Sequence, residues 1–346
     1  MKLPLFKKKP APPVLKAQGL GMHWDAEDPF LFASHHSDDY PAGNAQQAPP
    51  LRQISGRNLG RDYQKLFGFR MYHGKVVPGF PLHSHWGYET VTVPEKGFVD
   101  HFDSLGNCGR FGFGDVQWVS AGSLYSHDEM YPLAFDDRPN PNDITQIMID
   151  LPSSSKGSAP AVSTVWAEDV PVVELEGCEV KVVAGSFGGA SAAAPHPGSW
   201  AADPAHGVRI LRIAMRPGAS LDVDGAAPGA RRNLYFVSGA DASIGGEAYG
   251  SGQRLKMDGS AFRVENGGAE SAMWLLEGVP IGERRAAFGP VALGTDREVL
   301  DAMNEIRRRE LADWPWGLVD RTQPKGAERF LARADGSTER PVRRSS

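Results

Sequence analysis

A chain of 346 residues, 41% of them apolar, is long enough for two domains of ordinary size. Its formal charge of −5 gives no general attraction to phosphate backbones or anionic lipid, and no stretch approaches the ~20 apolar residues of a membrane span. The basic start MKLPLFKKKPAPP lacks a following apolar run of signal-peptide length, so a cytoplasmic monomer without nucleic-acid or membrane partners is expected.

Forty Gly and 27 Pro, spread without repeats, predict many tight turns between short strands and hence an all-β fold. Residues 1–19, rich in Lys and Pro, read as an arm or a strap over another part of the fold. From Phe69 onward, β-prone runs alternate with turn signals: FRMYHGKVV then VPGFP, YETVTV then PEKG, FVDHFD then SLGN, VQWVS then AGS. DITQIMIDL, at 143–151, closes this set, which predicts a first antiparallel barrel over 20–155. A Ser/Gly/Pro-rich connection over 156–170 follows. VRILRIAM, RNLYFVSG, FRVENG and AMWLLEG then predict a second barrel over 171–294. Thr295 and Glu298 have capping-box spacing ahead of an apolar stripe of Val299, Leu300, Met303 and Ile306, so a helix opens the segment 295–346. The basic tail after WPW reads as extended or disordered. Cys108 and Cys178 have no disulfide or metal spacing and read as small buried hydrophobes.

His83 and His85 are two residues apart, which on a strand places both imidazoles on one face, about 6–7 Å apart. His127 and Glu129 repeat that geometry a four-strand excursion later, so the two pairs can converge on one ion. Three imidazoles and a carboxylate suit a redox-active first-row metal, Fe(II) first, with Mn, Ni, Cu and Zn also compatible. Glu89 shares the parity of His83 and His85 and is a candidate fifth ligand or an acceptor behind the ligands. His101 is a near competitor, whereas His35, His36, His73 and His196 read as structural or exposed. No histidine follows His206, so one metal per chain is expected.

GFPLHSHWGYETVTV together with DHFDSLGNCGRFGFGDVQWVSAGSLYSHDEM resembles the pirins, two-barrel members of the cupin superfamily. The similarity runs from MHWDAEDPF to the EVLDAMNEIRRRE and ADWPW segments, and GDVQWVSAG is its most specific stretch. The resemblance implies a bicupin whose first barrel holds iron through His83, His85, His127 and Glu129, and whose second barrel lacks ligands. It also implies one of two functions: a quercetin 2,3-dioxygenase acting with O₂ on an aromatic or enolic substrate, or a regulator that binds a transcription factor or metabolic enzyme. In the enzymatic reading Glu129 is both a ligand and the catalytic base. Where the family commonly reads HPHRGFE, this chain has HSHWGYE, and LYSHDEM stands for GIVHSEM. The aromatic bulk of Trp86, Tyr88 and Tyr125 therefore predicts an altered pocket around the ligands.

Overall fold

The computed structural model describes residues 12–342, and its regular secondary structure is mostly antiparallel strands, with only two α-helices among those residues. Residues 1–11 of the predicted arm and 343–346 of the predicted tail lie outside the described residues. No helix among them is long and apolar enough to cross a membrane.

The chain divides into two compact units that interleave along the sequence. One comprises Met22–Pro171, Ala192–Asp203 and Ile281–Ser346; the other comprises Val172–Ser191, Pro204–Pro280 and the segment ending at Gly21. The first unit holds two six-stranded sheets. In one, Ala161–Val165, Val116–Ala121, Tyr88–Lys96, Asn140–Asp150, Phe30–Tyr40 and His23–Asp25 follow in that order. In the other, the order is Thr338–Glu339, Phe330–Ala332, Cys108–Gly112, Phe98–Asp103, Tyr125–Met130 and Gly79–His85. The tail thus contributes a strand, Phe330 pairing with Arg110, where its low apolar content predicts only extension or disorder. Buried ionic contacts hold that segment: Arg110 makes paired bonds to Asp100 at 2.6 and 2.8 Å and donates to the Ala327 carbonyl at 3.2 Å.

The helix Asp296–Arg309 begins where its capping box predicts, with Thr295 Oγ1 accepting from the Glu298 amide at 3.2 Å and donating to Glu298 Oε2 at 2.9 Å. It buries Val299, Ala302 and Ile306, whereas Leu300, assigned to the stripe from spacing, is 50% exposed. Val299, Ala302 and Ile306 are three or four apart and define one face; Leu300 lies a residue past it. Trp86 packs against this helix cluster beside Val291 and Leu293.

The second unit contains a seven-stranded sheet and a four-stranded one. Val14–Gly19, inside the predicted arm, is the edge strand of the larger sheet and pairs with Gln253–Met257. Leu211, Leu234, Phe236 and Leu275 supply a fully buried apolar core.

Candidate metal centre

The strand carrying His83 and His85 pairs with the strand carrying His127 and Glu129, so the ligand arrangement is a matter of register. Phe80 lies opposite Glu129 and His83 opposite His127. Three residues on one strand therefore match two on the other, and this bulge resets the parity that would have turned His83 away from His127. His83, His85 and His127 each bring a ring nitrogen to within 4.8 Å of the others.

Their hydrogen bonds fix which nitrogens face inward. His83 Nδ1 lies 3.0 Å from the Pro81 carbonyl, which can only accept, so Nδ1 carries the proton and Nε2 the lone pair. His85 Nδ1 lies 2.5 Å from the Tyr88 hydroxyl, leaving its Nε2 to approach His127 Nε2 at 2.8 Å. Two ring nitrogens at that separation repel unless a proton or cation lies between them. Burial holds all three imidazoles below the ordinary histidine range, His85 and His127 well below it, so they are neutral donors at pH 7. The donor set fits a first-row transition ion.

Glu129 is buried beside this cluster, with Oε2 at 3.8 Å from His127 Nε2. Gln146 Nε2 donates to its two oxygens at 2.9 and 3.2 Å, and Thr92 Oγ1 donates to Oε1 at 3.4 Å. Glu89 is elsewhere. The chain turns at Gly87, with φ +88°, and the next strand joins the other sheet, so strand parity does not carry across. A Cβ at Gly87 would also meet the Ala292 carbonyl oxygen at 1.9 Å. Thr92 reaches Glu129, which puts Tyr88, Thr90 and Thr92 on the cluster side of their strand and Glu89 on the opposite one. There the Glu89 carboxylate accepts from Ser199 Oγ at 2.5 Å, and burial pushes its pKa up to about 7.

Behind the imidazoles lie His101 and Tyr125, both singled out from the sequence, and Asp103 and Gln146, which were not. His101 is opposite Glu129 in register, and its ring lies 5.3 Å from that of His127. Its Nε2 lies 3.4 Å from Asp103 Oδ2 and 3.1 Å from the Tyr125 hydroxyl, which itself donates to Asp103 at 3.1 Å. The Leu105 and Asn107 amides and Asn107 Nδ2 also donate to Asp103. Burial raises the Asp103 pKa, but the His101 and Asn107 hydrogen bonds outweigh it and hold the carboxyl below its ordinary value. Tyr125 shares the parity of His127 and was within reach of the two-residue rule. Gln146 and Asp103 leave no such signal. Trp86, expected near the ligands, is with the C-terminal helix, while Tyr88 and Tyr125 do adjoin them.

Of the remaining histidines, His36 is buried against Tyr72, Phe80 and Tyr131, and burial lowers its pKa to about 3. His35 pairs with Asp143 at 2.9 Å. Cys178 is buried and Cys108 half-buried, both free. Trp314 is buried, and Trp316 donates to the Asp103 carbonyl at 2.8 Å, so the WPW segment docks onto its own unit.

Paired antiparallel sheets in each of two units, one of them presenting converging imidazoles, define a bicupin. Residues 15–149 match the pirin family model. A Pseudomonas aeruginosa protein provisionally named a quercetin 2,3-dioxygenase is 28% identical over 66% of this chain and 77% of its own length. Human pirin is 27% identical over 74% of this chain and 86% of its length. A crystal structure of quercetin 2,3-dioxygenase from Acinetobacter baumannii has a TM-score of 0.67 at 20% identity, covering 86% of this chain and 97% of the other, a likeness of fold. Over residues 15–149 the chain is thus similar to the pirins.

Proposed function

We propose that this chain is an iron-dependent dioxygenase of the quercetin 2,3-dioxygenase type, in which His83, His85, His127 and Glu129 hold Fe(II). The observation that carries the reading is the inward convergence of neutral imidazole nitrogens, His83 fixed in tautomer by the Pro81 carbonyl and His85 oriented by Tyr88, beside a buried carboxylate. When bound, a first-row ion supplies Lewis acidity toward a substrate oxygen, and Fe(II) also supplies electrons for O₂. Glu129 offers Oε2 to the cluster while Gln146 steadies both its oxygens, so one carboxylate can serve as ligand and as acceptor of the enol or phenol proton. The names of the Pseudomonas and Acinetobacter relatives support an aromatic or enolic substrate and O₂.

Metal analysis of protein purified without added metal, followed by O₂ uptake with a flavonol panel, tests this. Stoichiometric iron and flavonol-dependent uptake are expected. A metal-loaded protein that consumes no O₂ above its metal-free control overturns the enzyme and leaves the alternative, a metal-containing regulator that binds a protein partner. Glu129→Ala should abolish uptake while weakening metal binding less than His127→Ala does.

A further inference from the structure

The connection between the strands that end at Tyr40 and begin at Gly79 contains only a one-turn helix, Leu51–Ile54. It runs far beyond the ~12–15 residues at which a connection without regular structure becomes uncommon. Its second half folds back as a hairpin. The Gly60 amide donates to the Gly74 carbonyl at 3.3 Å, Asp62 and Tyr72 exchange backbone bonds at 2.8 and 2.9 Å, and Leu66 and Phe69 exchange them at 3.1 Å. Phe67 and Gly68 are left as a two-residue tip, with φ +53° and +87°. The Arg57 guanidinium braces the hairpin from inside, meeting buried Asp62 at 2.7 Å and donating to the carbonyls of Gln64 and Phe69 at 3.2 and 2.8 Å. The outer surface is therefore preformed.

Asp62 and Tyr72 face inward, so alternation turns their neighbours out: Arg61, Tyr63 and Lys65 are exposed on one arm and Lys75 on the other, its stem lying against Gly60. Phe67 is 73% exposed at the tip, and Leu66 and Val76 are exposed along the arms. Positive φ at both tip positions is the geometry that Asn and Gly take most readily, so a phenylalanine there is strained and, exposed, gains little from packing. Between 51 and 78 the sequence holds six Lys or Arg and one carboxylate, that of Asp62, in a chain whose net charge is −5. Asp38, paired with Arg70 at 3.2 Å, and Asp39, beside Gly68, border the tip.

We infer that this hairpin face docks a protein partner through an acidic segment with an aromatic or aliphatic anchor, its carboxylates meeting Arg61, Lys65 and Lys75 and its anchor packing on Phe67 and Leu66. Charge complementarity sets the sign of the partner. Clustering sets its apolar part: five of the fifteen exposed large hydrophobic side chains among the described residues, Leu51, Tyr63, Leu66, Phe67 and Val76, fall between 51 and 76. The aliphatic members favour a protein over a nucleic acid, whose bases stack on aromatic rings. A face set by reciprocal backbone bonds and a buried ion pair suits a partner of defined side chains better than a fluid bilayer. The inference does not depend on the chemistry at the imidazoles.

The test is selection of short random peptides, displayed on phage, against the full chain, with the affinities of the selected sequences measured on synthetic peptides. Acidic peptides with an aromatic or aliphatic anchor are expected. Arg61→Glu combined with Lys65→Glu should weaken them at least about tenfold, and Phe67→Asn about as much. Asn suits the positive φ of the tip, so the Phe67→Asn chain should unfold at the same temperature as the unmodified one or higher, with its metal content unchanged. Selected peptides without an acidic bias, binding that survives both variants, or a Phe67→Asn chain that unfolds earlier overturns the inference. Binding to phosphatidylserine vesicles or to a single-stranded oligonucleotide that these variants abolish, with no peptide selected, assigns the face to lipid or nucleic acid and overturns it as well.

Discussion

The two units answer the same folding problem with different interiors. In the unit without imidazole clusters, the inward residues are aliphatic and aromatic, and its deepest charges are compensated: Glu277 meets Arg232 at 2.5 Å and Arg209 at 2.7 Å, and Arg232 also donates to the carbonyls of Asp224 and Ser260. Its buried side-chain atoms without partners, on Gln253, Asn266 and Ser271, fall at strand ends. In the imidazole-bearing unit such atoms are spread more widely, from His36 Nδ1 and Asn142 Oδ1 to His127 Nδ1 and His101 Nδ1 at the cluster. Unpaired buried polar groups cost stability, so the interior that carries more of them is the less fully compensated of the two.

Substitutions in each unit sharpen this contrast. Glu277→Ala strands a buried guanidinium and should cost about 3–5 kcal/mol in urea unfolding, with the metal content of the folded fraction unchanged. His127→Ala should do the reverse, lowering metal affinity at least about 100-fold in chelator competition; retention of stoichiometric metal would break the comparison. Tyr88→Phe removes the hydroxyl that holds His85 Nδ1 and orients its ring, and should weaken metal binding about 10-fold. An unchanged affinity would show that packing alone orients that ring. Thr295→Ala, far from both interiors, should cost about 1 kcal/mol by loss of the helix cap and leave metal binding as it was.

Much of this was legible locally. His83 with His85 and His127 with Glu129 declare themselves because strand periodicity spans only two residues, and Thr295 with Glu298 because a cap spans three. Features set by pairing between distant segments were not. The bulge between Phe80 and His83, the placement of Glu89 behind the other sheet and the tail strand at Phe330–Ala332 each depend on a partner strand at long range. Leu300 was misassigned because four apolar residues at nearly helical spacing conceal which three share a face.

The strand Val14–Gly19 precedes almost all of the imidazole-bearing unit in the chain yet completes the sheet of the other, pairing with residues more than two hundred positions later. During synthesis it must wait, unpaired, until its partner has been made. For the protein engineer, this means that no single cut separates the units: a fragment starting at Met22 takes an edge strand from one unit, and a fragment ending at Pro171 deprives the other of its C-terminal helix and tail. Domain dissection of this chain requires circular permutation or grafting, not truncation.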